Sequence, residues 1–152
     1  MKTTVFIIVL SVGQSGSGQV HQMIGTEWLW VKTVMNDDHT IVPVQPDTFT
    51  ITFTENGKLT GKTDCNSYIG EYEVEGNKIT IDRIGSTRMF CEDSQEDDFL
   101  DQLRNVDSYF INGEGNLILL LKFDSGSMIF GSNRSTISSR QPSSLMQSRI
   151  RS

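Results

Sequence analysis

Thr48-Phe49-Thr50-Ile51-Thr52-Phe53-Thr54 alternates hydroxyl and apolar side chains without a fault, and Glu55-Asn56-Gly57 follows it directly. Successive side chains of a strand point to opposite faces, so Phe49, Ile51 and Phe53 share one face and the threonines share the other. This is a half-buried strand. Asn-Gly tolerates the positive φ that a tight hairpin turn demands at both central positions. The chain therefore reverses at Asn56-Gly57, and Leu59 begins a returning antiparallel strand.

The same pattern extends in both directions. A second hairpin is predicted across Tyr72 to Ile81, turning at Glu75-Gly76-Asn77-Lys78, with Ile79 and Ile81 on one face. Glu71, Glu73 and Glu75 alternate along it and read as a solvated outer face. Upstream, Trp28-Leu29-Trp30-Val31 reads as a strand before the polar loop Asn36-Asp37-Asp38-His39, and Pro43 and Pro46 keep the next stretch irregular. Downstream, strands are predicted at Ser108–Ile111, Leu117–Leu121 and Met128–Phe130, with a turn over Asn112–Asn116. One helix is predicted, beginning near Ser94. Its hydroxyl would cap the first turn with Asp97 completing a box-like arrangement. Phe99, Leu100, Leu103 and Val106 recur at helical spacing, while Glu96, Asp97, Asp98 and Arg104 complement the helix dipole. About eight short strands and one helix predict a mainly β (α+β) fold: a small antiparallel β-barrel-like sheet capped by that helix. Trp28, Phe49, Ile51, Phe53, Phe99, Leu103 and Leu119 are its expected core.

At 152 residues, 36% hydrophobic and 21% charged, the chain fits one globular domain. Its formal charge of −6 conceals an asymmetry. Residues 24–130 hold 8 Lys/Arg against 19 Asp/Glu, a net of −11, and four arginines follow with no acid. So acidic a body repels phosphate backbones and anionic lipid, which argues against nucleic acid and anionic membrane as partners. Residues 1–13 read as an export signal: Lys2 is followed by the apolar run Val5–Leu10, and Ser11 and Gly13 are small residues suited to cleavage. No cysteine follows the run to carry a lipid, and no other stretch is apolar enough to cross a membrane. Gly13–Gly18 is linker-like in composition, so residues 14–24 are read as a flexible linker, and 131–152 as a disordered basic tail. Asn133-Arg134-Ser135 is formally a glycosylation sequon, a tripeptide that recurs often by chance.

Cys65 and Cys91 are the sharpest chemical feature. In an oxidising compartment such a pair most often forms a disulfide, and closing that loop restricts the unfolded chain by about 3.5 kcal/mol. In a reducing compartment the same residues read as two buried thiols. No metal or cofactor is expected, because two cysteines 26 residues apart with His21 in the linker do not give zinc spacing. Cys65 as a nucleophile would need His39, the one histidine of the folded body, which reads instead as a solvated loop residue. Neither a Ser-His-Asp order nor a phosphate-cradling glycine loop is present. Glu92–Asp98 lacks the central glycine and ligand alternation of a calcium loop and reads as a dipole-compensating helix start. Asn66, Tyr68, Gly70 and Tyr72 form a turn motif with two readings: the lining of a ligand mouth, or an Asn bonding its own turn.

Several motifs in order carry a family resemblance. Trp28 stands in the first strand, and Gly57-Lys58-Leu59-Thr60-Gly61 leads into Cys65-Asn66-Ser67-Tyr68-Ile69-Gly70-Glu71-Tyr72. Thr87-Arg88-Met89-Phe90-Cys91 then precedes Glu96, Phe99, Leu100 and Leu103, with Leu117 and Leu119 in a late strand. Residues 25–130, about 70% of the chain, resemble the META domain family, the group that includes the heat-shock-associated envelope protein HslJ. The family patterns are Gly-Cys-Asn-x-Tyr-x-Gly-x-Tyr and Thr-x-Met-Ala-Cys. Asp64 replaces the glycine before the cysteine, and the lipid-bearing cysteine of many bacterial relatives is missing. The resemblance implies a β-barrel-like domain of the periplasm, cell envelope or secreted fraction. It implies no catalytic residue and a role in stress tolerance or antibiotic resistance. The leading expectation is a monomeric, non-enzymatic domain that binds a protein or envelope component. A small-molecule carrier using the barrel interior, or a protease inhibitor acting through a disulfide-held loop, are the alternatives.

Overall fold

Buried and exposed side chains alternate along the strands of the computed structural model, which describes residues 15–133. In chain order the elements are α1 (Ser15–Met23), β1 (Glu27–Met35), β2 (Thr40–Ile41), β3 (Thr50–Phe53), β4 (Lys58–Lys62), β5 (Ser67–Glu75) and β6 (Lys78–Ser86). They continue with α2 (Glu96–Arg104), β7 (Val106–Ile111), β8 (Leu117–Leu121) and β9 (Gly126–Ser132). Every strand pairing is antiparallel. β1 joins β9 along one edge, from Trp28↔Ser132 to Met35↔Gly126. Its other edge is shared by β3, at Glu27–Leu29, and by β2, at Thr33 and Val34. Eight strands thus follow one another around a ring, and the two-residue β2 is a ninth on its rim. Both predicted hairpins are present, with Gly57 at φ 78° and Gly76 at φ 63° in their turns.

The ring is thinnest between β6 and β7, which share the single pair Lys78↔Ser108. α2 connects those two strands and turns Phe99, Leu100 and Leu103 inward. Phe99 ends at the centre of the core, with ring centroids 4.9 Å from Phe49, 5.2 Å from Trp30, 6.1 Å from Tyr68 and 6.3 Å from Phe130. All seven expected core residues are buried. Phe49, Ile51, Phe53 and Leu119, which would line a carrier cavity, are each at most 1% exposed. The interior is filled by side chains, which removes the observation that would favour a carrier.

Three expectations need correction. Residues 14–24 do not read out as a linker, because α1 occupies Ser15–Met23. Met23 is fully buried, Val20 and Ile24 pack on the core, and Trp28 Nε1 donates to the Met23 carbonyl at 3.0 Å. A short Gly/Ser-rich helix is poor by propensity and persists here through that packing. The expected helix start at Ser94 lies at Glu96: Gln95 occupies the cap position without a side-chain cap bond, and Asp97 is exposed. The expected tail boundary at 131 falls inside β9, whose pairing with β1 carries it to Ser132. The expected export signal, 1–13, and the tail beyond 133 lie outside the described residues.

Candidate functional site

The most highly bonded polar cluster forms where three segments meet: the Thr63–Asn66 turn between β4 and β5, the Thr87–Gln95 connection, and the first turn of α2. Cys65 and Cys91 are joined in a disulfide, with Cα atoms 5.8 Å apart. Asn66, 6% exposed, works beside it as a four-way polar tie. Its Oδ1 accepts from the Thr87 hydroxyl and the Met89 N–H, both at 2.9 Å. Its Nδ2 donates to the Met89 carbonyl at 3.1 Å and to Glu96 Oε1 at 3.0 Å. Glu96 is buried, and its other oxygen accepts from the Asn66 N–H at 3.1 Å and from the Thr63 hydroxyl. A buried carboxylate is tolerated when donors replace its water, and here three do so.

Asp64 completes the cluster. Its carboxylate accepts from Ser94 Oγ at 2.6 Å and from the Gln95 N–H at 2.9 Å, and Ser94 Oγ in turn accepts the Glu96 N–H at 3.1 Å. Two of the amides at the start of α2 are thereby satisfied, Gln95 by Asp64 from another turn of the chain and Glu96 through Ser94. Ser94 takes part, as a relay instead of a cap.

These ties fix both sides of one residue. Met89 is bonded through its N–H and its carbonyl, and Cys91 is held covalently. Phe90 lies between them and is 93% exposed, with Met89 at 65%. Exposed carboxylates of Glu92, Asp93 and Asp97 line the depression beside this tip.

The turn motif faces inward. Tyr68 is 2% exposed and its hydroxyl donates across β4 to the Thr50 carbonyl at 2.6 Å. Tyr72 makes the equivalent bond to the Thr54 carbonyl, and Gly70 lies against Leu59 and Ile84. Burial pushes the Tyr68 phenol far above its ordinary pKa. Tyr72 is raised by burial first, then by Glu55 and Tyr109. Asn66, Tyr68, Gly70 and Tyr72 thus tie strands and loops together, and Tyr72 also borders an open depression beside Lys58, Glu71 and Arg83. On the outer face, the hydrogen bond from Lys58 holds the Glu71 carboxyl below its usual range, with help from the Lys58 and Arg83 charges.

No thiol is available at Cys65, since the disulfide uses both sulfurs, and His39 sits in the β1–β2 turn with its N–H on Asp37. Among the described residues no group of three or more His, Cys, Asp or Glu could hold a metal ion. What the arrangement offers is a rigid, protruding apolar tip with a carboxylate rim. Sequence reasoning missed Phe90, Asp64 and the inward role of Glu96. The available signal was an aromatic where the Thr-x-Met-Ala-Cys pattern has alanine.

The family model of the META domain matches residues 21–134. Among solved structures, the chain is similar to an NMR structure of a protein from Burkholderia xenovorans, with TM-score 0.63 and 21% identity over 74% of this chain and 85% of that one. It is also similar to the crystal structure of a DUF4847 family protein from Bacteroides vulgatus, with TM-score 0.53 and 20% identity over 72% of this chain and 93% of that one. The comparison with curated proteins finds no match. At such identities the two structures show a shared fold alone.

Proposed function

The chain belongs to the META domain family, and from that premise we propose that it is an exported, non-enzymatic binding domain that recognises its partner through the pinned loop Thr87–Cys91. One observation carries the reading: Phe90 is 93% exposed while the residues on either side of it are fixed. Exposure alone does not mark a site, since Phe123 is as exposed, but an aromatic set between two fixed neighbours is a ready anchor, and aromatic anchors supply a large share of binding energy at interfaces. A loop already held in one shape loses little further entropy on binding. The disulfide supports a place outside the reducing cytosol, as does the signal-like character of residues 1–13. The resemblance to HslJ-type proteins supports adding envelope stress tolerance to this reading.

The test joins location to recognition. Cells expressing the full chain are fractionated, and free thiols are alkylated before lysis. Both cysteines should be protected in the envelope or secreted fraction, and a partner captured there should be lost with Phe90→Ser while the folded amide spectrum is kept. Alkylated cysteines in a cytosolic fraction, or capture indifferent to Phe90→Ser, would overturn the reading. Protease inhibition is the second reading, favoured by the same loop, since Phe90 is exposed between a hydrogen-bonded Met89 and a disulfide-held Cys91. Inhibition of a chymotrypsin-like protease that disappears with Phe90→Ser would place it first.

A further inference from the structure

The carboxylate rim around Phe90 specifies what kind of partner the loop takes. Glu92, Asp93 and Asp97 are exposed, and among the described residues no Lys or Arg pairs with any of them. Glu96, which also borders the depression, is already engaged inward by Thr63 and Asn66. Arg88 is the one cation between residues 87 and 98, against Glu92, Asp93, Glu96, Asp97 and Asp98. The acidic body adds to the local field, so anions are turned away and cations are drawn in. Phe90 and Met89 meanwhile offer apolar area, and an aromatic face also attracts a cation.

We propose that this loop binds a cationic amphipathic segment of a partner protein, with an apolar side chain of the partner on Phe90 and Met89 and its lysines or arginines on Glu92, Asp93 and Asp97. The proposal rests on the pinned loop being the recognition element and adds the partner's chemistry. It concerns this chain's own residues, because Phe90 stands where the Thr-x-Met-Ala-Cys pattern has alanine.

The experiment titrates the isotope-labelled full chain with three synthetic peptides: alternating Leu and Lys, the same peptide with Ser in place of Lys, and the same with Glu in place of Lys. The Lys peptide should shift amides of residues 88–98, and its affinity should fall as salt is raised. Phe90→Ser, and separately the combined Glu92→Gln, Asp93→Asn and Asp97→Asn variant, should each weaken it by about 10-fold or more. Phe123→Ser removes an equally exposed phenylalanine (97%) in the β8–β9 turn and should change nothing. Unchanged amide shifts of Asn66 and Phe99 report that the variants remain folded. If all three peptides bind equally at residues 88–98, the charge inference is wrong and the loop remains the recognition element. If no peptide shifts those residues while Phe90→Ser still abolishes envelope capture, the partner chemistry alone is wrong. If shifts and capture are both absent, both readings fall.

Discussion

Gly61 shows how much of this fold hangs on one missing methyl group. The Tyr68 ring crosses β4 at that position to reach the Thr50 carbonyl. A Cβ on residue 61 would lie 2.1 Å from the Thr50 oxygen and 2.4 Å from the Tyr68 hydroxyl. Neither can retreat, since one is backbone and the other is fully packed. Gly61→Ala is expected to destabilise the domain by about 3 kcal/mol or more, read as a lowered denaturant midpoint. An unchanged midpoint would mean that Tyr68 does not cross there. The sequence grouped Tyr68 and Tyr72 in one turn motif, yet nothing local announced which carbonyl each hydroxyl would find. Phe90 was equally hidden. Its neighbours looked like one more irregular connection, and its outward projection depends on Asn66, which lies 24 positions earlier.

At the level of elements, period and turn chemistry were readable and helix boundaries were not. β3, β4 and the two hairpins follow from alternation and from Asn56-Gly57 and Gly76-Asn77, all local signals. The apolar stripe of α2 was equally plain as far as Leu103, whereas Val106, expected as its last member, opens β7 because the helix ends at Arg104. Its start was misplaced because the compensating carboxylate belongs to Asp64, on the far side of the disulfide. Where the family pattern has glycine, this chain has the residue that satisfies Ser94 and Gln95. Asp64→Gly should therefore cost about 1 kcal/mol, with faster hydrogen exchange concentrated at residues 94–98. Exchange that rises uniformly over the domain would argue against a local capping role. α1 was missed for the opposite reason: its composition favours a linker, and only contacts with Trp28 and the core keep it helical.

The whole molecule is a ring plugged by Phe99, and its response to alkali follows from that. A phenol whose pKa is raised by folding holds its proton more tightly in the folded state. The stability it confers is fully present below the unfolded phenol value, about pH 10, and is lost as pH climbs above it. The unfolding midpoint, measured briefly under non-reducing conditions, should stay level through neutrality as far as these phenols are concerned and fall above about pH 10. Tyr68 should ionise only as the domain unfolds, and Tyr68→Phe should flatten that fall. Tyrosinate absorbance from all three tyrosines in the still-folded protein would contradict the burial of Tyr68.

The sequence alone determined the antiparallel β-rich class, both tight hairpins, the inward face of Phe49, Ile51 and Phe53, and the pairing of its two cysteines as the leading choice. Apart from the cysteine pairing, which spans 26 positions and rests on there being just two cysteines, those signals are local, because strand period and turn chemistry act over about two to eight neighbouring residues. Tertiary structure decided the closure of β1 on β9, the filling of the interior by Phe99, the Asn66–Glu96 tie and the exposure of Phe90. Each of these joins segments far apart in the chain. Which donor meets which acceptor there is settled by packing the whole ring at once, and no stretch of sequence carries that information by itself.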